Sequence, residues 1–262
     1  MNILKSYLLS LNFFKFFLYI IYLFIYKKEI KFYNSYYLHY IKKYIFINFH
    51  HLKNISTFFQ AHKDFTKKFI PKKNHIILDV GAGLGSEMLI FSQQVGANGK
   101  VICLEPDLRL FKVLEYAIEV NKLENVILYK KAFYNKNNLK LKFILNPIYN
   151  WMANSLDFAS NAKNYFVSTI TLDKIIKNEK LHIINFAKFN IEGAEKYLIS
   201  GNEIFLKKCK NIVVSCHDFL NKKEYQTYKT VKKVLNDHSF KIHKSKSDNN
   251  ILKYFIFATK TN

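Results

Sequence analysis

Residues Ile76–Glu87 read IILDVGAGLGSE. Ile76, Ile77, Leu78 and Val80 form a short apolar run with one acid, Asp79, embedded in it. Glycines follow at alternate positions, Gly81, Gly83 and Gly85, and Ser86-Glu87 opens the amphipathic run Met88–Val95. This is the pattern of a buried parallel strand, a turn with few side chains and a helix start. Glycine lets backbone approach a ligand closely and adopt positive φ. The free N–H groups at a helix start favour a negative ligand group. The spacing is G-x-G-x-G rather than the G-x-G-x-x-G of dinucleotide folds, which argues against an NAD-binding oxidoreductase. For the loop alone, a tight turn in any α/β protein is the plain alternative.

Outward from this loop the chain alternates strands and helices. Lys100–Leu104 reads as a second strand, ending in Glu105-Pro106. An acid at that tip can accept hydrogen bonds from both ribose hydroxyls of a nucleoside; a solvated strand-end Glu is the alternative. Asp107–Asn121 is a helix with one buried face, Val126–Tyr129 a third strand, and Lys131-Ala132-Phe133 follows it. Leu139–Leu145 alternates as a half-buried strand, and Thr169–Ile176 runs from strand into a helical turn. Ile183–Phe189 is a further apolar strand, leading into Asn190-Ile191-Glu192-Gly193-Ala194-Glu195. Glu195–Ser200 continues as a helix closed by Gly201. Asn211–Cys216 is the fifth core strand, tipped by His217-Asp218. Glu224–Asp237 reads as a helix, and Phe240–His243 with Leu252–Thr259 as a closing antiparallel hairpin. The expected class is α/β: a Rossmann-like, mostly parallel sheet with an antiparallel closing strand.

At 262 residues the chain suits one such domain, 71–262, plus an extension, 1–70. Its 41 basic against 19 acidic residues give +22, which favours anionic partners such as a membrane surface, nucleic acid or phosphorylated glycans. The lysines are scattered, so a generally solvated basic surface is an equal reading. Residues 3–26 are long and apolar enough for a membrane span. Yet Asn12, Lys15, Tyr19, Tyr22 and Tyr26 recur at steps of three and four, the pattern of a helix lying in a membrane interface or docked on the domain. The expected location is therefore the cytoplasm, at the inner face of the membrane. Thr57–Ile70 also reads as helix, which makes the extension hydrophobic, basic and helical. His39, His50, His51 and His62 lack metal-ligand spacing and are expected at the surface. Cys103, Cys209 and Cys216 lack C-x-x-C spacing and are expected reduced and buried.

Taken in order, the stretches LDVGAGLG, ICLEP, NVILYKKAF, TLDKII, FNIEGAEKYLISG and IVVSCHDF resemble the FkbM-type methyltransferases over about residues 70–220. That resemblance implies S-adenosyl-L-methionine as cofactor and a sugar, glycan or related small-molecule hydroxyl as acceptor; the residue spacing itself shows no metal site. It also implies site roles. Asp79, Gly81, Gly83 and Gly85 would shape the methionine-tail pocket, Glu105 would hold the ribose, and Ala132 and Phe133 would flank the adenine. Asn190 and Glu192 would face the methyl group and the acceptor. Capping the next helix through its dipole is the rival role for Glu192. His217 would be a general base, because an imidazole titrates near neutrality, or a plain polar loop residue. The family usually has Asp where this chain has Asn190, which loses a negative charge beside the site. Asn146-Pro147-Ile148-Tyr149 also resembles the N-P-P-Y loop of amino-methyltransferases, without its second proline. The competing readings are thus an amino-methyltransferase acting on nucleic acid or protein, and a non-catalytic membrane-surface protein on this fold.

Overall fold

The computed structural model describes residues 17, 20–21, 29–33, 36–41, 43–48, 56–144, 155–156, 164–243 and 249–261. Most of 3–26 and all of 146–149 lie outside them. So do His50 and His51. Among the described residues no helix is long and apolar enough to cross a membrane.

The extension differs from the helical expectation. β1 (Glu29–Tyr33), β2 (Tyr36–Ile41) and β3 (Tyr44–Asn48) form an antiparallel meander. YYLHYI and YIFIN are dense in aromatic and β-branched residues, which fit a pleated surface better than a helix. Helix α1 (Ser56–Phe65) follows. His39 and His62 are buried rather than at the surface.

Beyond the extension run β4 (Ile76–Val80), α2 (Ser86–Val95), β5 (Lys100–Leu104), α3 (Leu108–Asn121) and β6 (Val126–Tyr129). Next come β7 (Ala132–Phe133), β8 (Lys140–Ile144), β9 (Ser155–Leu156), β10 (Asn164–Ile170) and α4 (Leu172–Asn178). The chain continues through β11 (Phe186–Phe189), α5 (Glu203–Lys208), β12 (Asn211–Ser215), α6 (Tyr228–Asp237), β13 (Phe240–His243) and β14 (Phe255–Lys260). Seven strands make the main sheet in the order β6-β5-β4-β11-β12-β14-β13. The pairs from β6 to β12 are parallel, and β14 is antiparallel to both of its neighbours. The central strands are near-continuous apolar runs because both faces of the sheet are covered. One face packs on α1, α2 and α3, the other on α4, α5 and α6. A smaller sheet, β7-β10-β8-β9, stands beside it.

Three local differences have local causes. The turn expected as a helix over Glu195–Ser200 is a 3₁₀ helix, Ala194–Ile199. The helix expected from Glu224 begins at Tyr228, where Asp218 Oδ2 accepts the N–H groups of Thr227 and Tyr228, both at 3.0 Å, and so sets its start. The closing strand begins at Phe255, after a 3₁₀ turn over Leu252–Tyr254.

The extension is packed into the domain. Asn121, at the end of α3, accepts from Ile45 N–H and donates to Ile45 C=O, both at 2.9 Å, which ties β3 down. Phe46 stacks on Phe58, Phe65 on Phe255 and Phe69 on Phe186, with centroids 5.1–5.5 Å apart. Phe46, Phe58 and Phe65 share one apolar cluster with Ile77, Phe91 and Phe186, so residue 70 is not a packing boundary.

Candidate active site

The strand order reverses at β4, with β5 on one side and β11 on the other. Ligands of open α/β sheets collect beyond the carboxyl ends of strands at such a switch point. A cavity of about 630 Å³ lies there, within the roughly 300–1,000 Å³ range of ligand sites.

Its floor is the glycine loop. Gly81 has φ +80°, and a Cβ there would stand 2.2 Å from Asn190 O, so the turn after β4 exists only because that position has no side chain. Gly83 has φ +58° and the opposite surroundings: a Cβ would meet no protein atom within 4 Å. It lines the cavity. Gly85 caps α2 and does not reach the cavity.

Asp79 is fully buried behind the loop. Across the strand pair its register partner is Lys188, whose Nζ lies 2.8 Å from Asp79 Oδ1 and donates to Gly81 O at 2.7 Å. Burial lifts the Asp79 carboxyl, and the Lys188 ammonium pulls it back down. Burial likewise opposes the Lys188 charge, but Asp79 and Glu87 outweigh it and raise the ammonium above its ordinary value. The pair therefore braces the loop from beneath, and Lys188 also reaches the cavity wall.

Glu105 closes the other side. Its Oε2 accepts the Gly83 N–H and its Oε1 the Asp107 N–H, both at 2.9 Å. Burial pushes its pKa up to about 7, against the pull of those two donors. The carboxylate keeps further lone pairs for a ligand. Ala132 and Phe133 of β7 line the next wall, and Phe133 meets Phe189 edge-on at 5.6 Å. Tyr165 of β10 accepts the Leu108 N–H at 2.9 Å and reaches Pro106 O at 3.3 Å, fixing the turn after Glu105.

Asn190 and Glu192 line the cavity where β11 ends. Glu192 has φ +51°, a left-handed conformation uncommon outside glycine and one that gathers at functional sites. His217 is buried and is not on the cavity wall. Its Nε2 lies 3.3 Å from Glu192 Oε1 and its Nδ1 3.1 Å from Glu195 Oε1. Burial works against the imidazolium, but hydrogen bonds from Glu192 and Glu195 outweigh it and push the pKa up to about 10. His217, expected as a general base or a plain polar loop residue, thus lies off the cavity wall, with two carboxylates holding its proton above the ordinary imidazole value.

The cavity thus unites Gly81, Gly83, Glu105, Ala132, Phe133, Asn190 and Glu192, while Asp79, Gly85 and His217 stand behind them. A family model, the methyltransferase FkbM domain, matches residues 79–242. The chain belongs to the FkbM methyltransferase family. No curated protein matches it. Among solved structures it is similar to a candidate rRNA methylase from Clostridium thermocellum, at 14% identity and TM-score 0.51, covering 80% of this chain and 99% of that one. It is also similar to the methyltransferase FkbM from Methylobacillus flagellatus KT, at 14% identity and TM-score 0.48, covering 72% of this chain and 44% of that one. The sheet of this FkbM chain is the class I S-adenosylmethionine-dependent methyltransferase fold.

The residues present fit the methyl donor of that class. Open space over Gly83 admits a ligand atom where a side chain would intrude. The first turn of α2 offers N–H groups without intrahelical partners to a carboxylate. Glu105 offers its remaining lone pairs to ribose hydroxyls. Among the described residues no group of three His, Cys, Asp or Glu is placed to hold a metal ion.

Sequence reasoning missed three parts of this site. Lys188 was given no role, and its only signal was a charge interrupting the apolar run Ile183–Phe189. Glu195 looked like a helix-start acid, yet it is 1% exposed. The α1 side chains Phe58, Ala61 and Phe65 form a cavity wall from outside the region of family resemblance.

Proposed function

We propose that this FkbM protein transfers a methyl group from S-adenosyl-L-methionine to a hydroxyl of a sugar, glycan or related small molecule. The observation that supports it best is the joining of Gly83 and Glu105 across two strand tips, facing Asn190 and Glu192 in one cavity. Bound there, the cofactor supplies an electrophilic methyl group. The chain's own residues then orient, desolvate and accept a proton. Glu105 orients the nucleoside end. The first turn of α2 meets the carboxylate of the methionine tail. The apolar residues Phe58, Phe65, Leu104 and Phe143 keep water from the cavity. Asn190 and Glu192 stand where β11 ends and meet the acceptor.

The test is direct. Purified protein spanning residues 1–262 should bind S-adenosylhomocysteine in calorimetry and should transfer labelled methyl from S-adenosylmethionine to a panel of methyl glycosides and cell-derived glycans. Absence of binding heat would favour the non-catalytic reading that Asn190 motivates. Label entering RNA or DNA instead, with steep salt dependence, would favour the amino-methyltransferase.

A further inference from the structure

We infer that His217 and Glu195 are positioning residues that hold the cavity-facing carboxylate of Glu192 in place as the group that accepts the acceptor's hydroxyl proton. The inference rests on the reading of the site as a methyl-transfer cavity. Its geometry is independent of the acceptor's identity.

Three groups stand in line. Glu192 lines the cavity, with its side chain 22% exposed. Behind it the His217 side chain is 4% exposed, and behind that the Glu195 side chain is 0% exposed. Glu195 is anchored in turn: its Oε1 accepts the Ile191 N–H at 3.2 Å, and its Oε2 accepts the Thr227 hydroxyl at 3.3 Å. Both ring nitrogens of His217 face carboxylate oxygens. A neutral imidazole has one donor and one acceptor, so one nitrogen would point a lone pair at a carboxylate; only the imidazolium donates at both. The ring is further packed against Phe219, with centroids 5.5 Å apart. Of its two chain neighbours, Asp218 turns its Oδ2 to the N–H groups opening α6, and Cys216 is a buried thiol, which burial pushes up.

The backbone supports the same role. Glu192 at φ +51° and Gly193 at φ +93° make two successive left-handed residues between β11 and the 3₁₀ helix. That bend turns Glu192 toward the cavity while Glu195 turns inward.

The resulting step balances. The acceptor oxygen forms a bond to the methyl carbon as the sulfur–carbon bond breaks, the sulfonium becomes a neutral thioether, and the hydroxyl proton passes to Glu192. With both ring nitrogens facing carboxylates and the ring off the cavity wall, His217 serves to orient Glu192.

The experiment has two arms. In the protein spanning residues 1–262, nitrogen-resolved NMR of the His217 ring should show both nitrogens protonated up to about pH 9, because a paired imidazolium titrates far above its free value. In Glu195→Gln the ring midpoint should fall by about one pH unit or more. A ring that is neutral at pH 8, or a midpoint unmoved by Glu195→Gln, overturns the inference. In the second arm, methyl transfer to methyl glycosides should fall ~100-fold in Glu192→Gln, while S-adenosylhomocysteine affinity stays within about threefold. His217→Gln should lower the rate about tenfold and shift its pH profile. Full activity of Glu192→Gln also overturns the inference. If no methyl glycoside accepts a methyl group, the acceptor reading fails, and the NMR arm still decides whether His217 stands as an imidazolium between two carboxylates.

Discussion

At the scale of single residues, Glu105 and Lys188 make opposite demands on a buried charge. Glu105 has its pKa raised to about 7 by burial. Ribose hydroxyls donate to the ionised form, so ligand binding should favour the carboxylate and release a proton near neutrality. S-adenosylhomocysteine affinity should therefore fall as pH drops from about 8 to about 6, by up to tenfold per unit below the pKa. Glu105→Gln should weaken binding by ~10–100-fold, the range for hydrogen bonds to a charged group, and should flatten that pH dependence. Calorimetry across pH checks both. Lys188 sits in a buried pair with Asp79 at 2.8 Å. Lys188→Met strands Asp79 without a partner, and urea unfolding should show a loss of about 3–5 kcal/mol. Adding Asp79→Leu should recover most of that loss, since two apolar groups replace the pair. Of these residues the sequence showed Asp79 and Glu105, because an acid inside or at the end of an apolar run is conspicuous. It did not show Lys188, because only the β4–β11 register sets the Lys beneath the glycine loop.

At the scale of elements, the glycine loop separates two reasons for having no side chain. Gly81→Ala would push a Cβ to 2.2 Å from the Asn190 carbonyl, a backbone atom that cannot yield without moving the end of β11. It should cost about 3 kcal/mol or more in stability, combining overpacking with a left-handed strain. Gly83→Ala meets no protein atom within 4 Å, so its stability loss should be about 1 kcal/mol, from the left-handed backbone alone. Its Cβ enters the cavity, so it should weaken S-adenosylhomocysteine binding more than its stability loss implies. Thermal unfolding and calorimetry on the two variants read these effects separately. If Gly83→Ala bound the ligand as tightly as the parent, the loop would not be the floor of the site. The elements themselves were largely legible: a strand, a glycine turn and a helix recur with period-specific patterns from Ile76 onward. The meander β1–β3 was not, because aromatic, aliphatic and basic residues are mixed there and neither period stands out.

At the scale of the whole molecule, the sequence divides where the structure does not. Composition changes near residue 70, and the family resemblance begins near the glycine strand, so the extension reads as an appendage. In the fold, α1 lies on the sheet face it shares with α2 and α3, and its Phe58 and Phe65 belong to the same cluster as Ile77 of β4 and Phe186 of β11. Phe58, Ala61 and Phe65 also supply one wall of the cavity. An extension that only anchored the protein would leave the remaining domain folded and ligand-competent when removed. An extension that completes the core would not. Phe58→Ala and Phe65→Ala should each cost about 3–5 kcal/mol, as buried Phe truncations do. A chain lacking residues 1–70 would lose both side chains at once, against a typical total stability of about 5–15 kcal/mol. It would also expose the apolar residues beneath α1, Phe91 and Phe186 among them. We expect that truncated chain to lose cooperative unfolding and to give no S-adenosylhomocysteine binding heat, whereas a truncation ending at residue 26 should retain both. A folded, ligand-binding 71–262 fragment would show that the α1 wall is dispensable and that the methyl-donor site is complete within the domain alone.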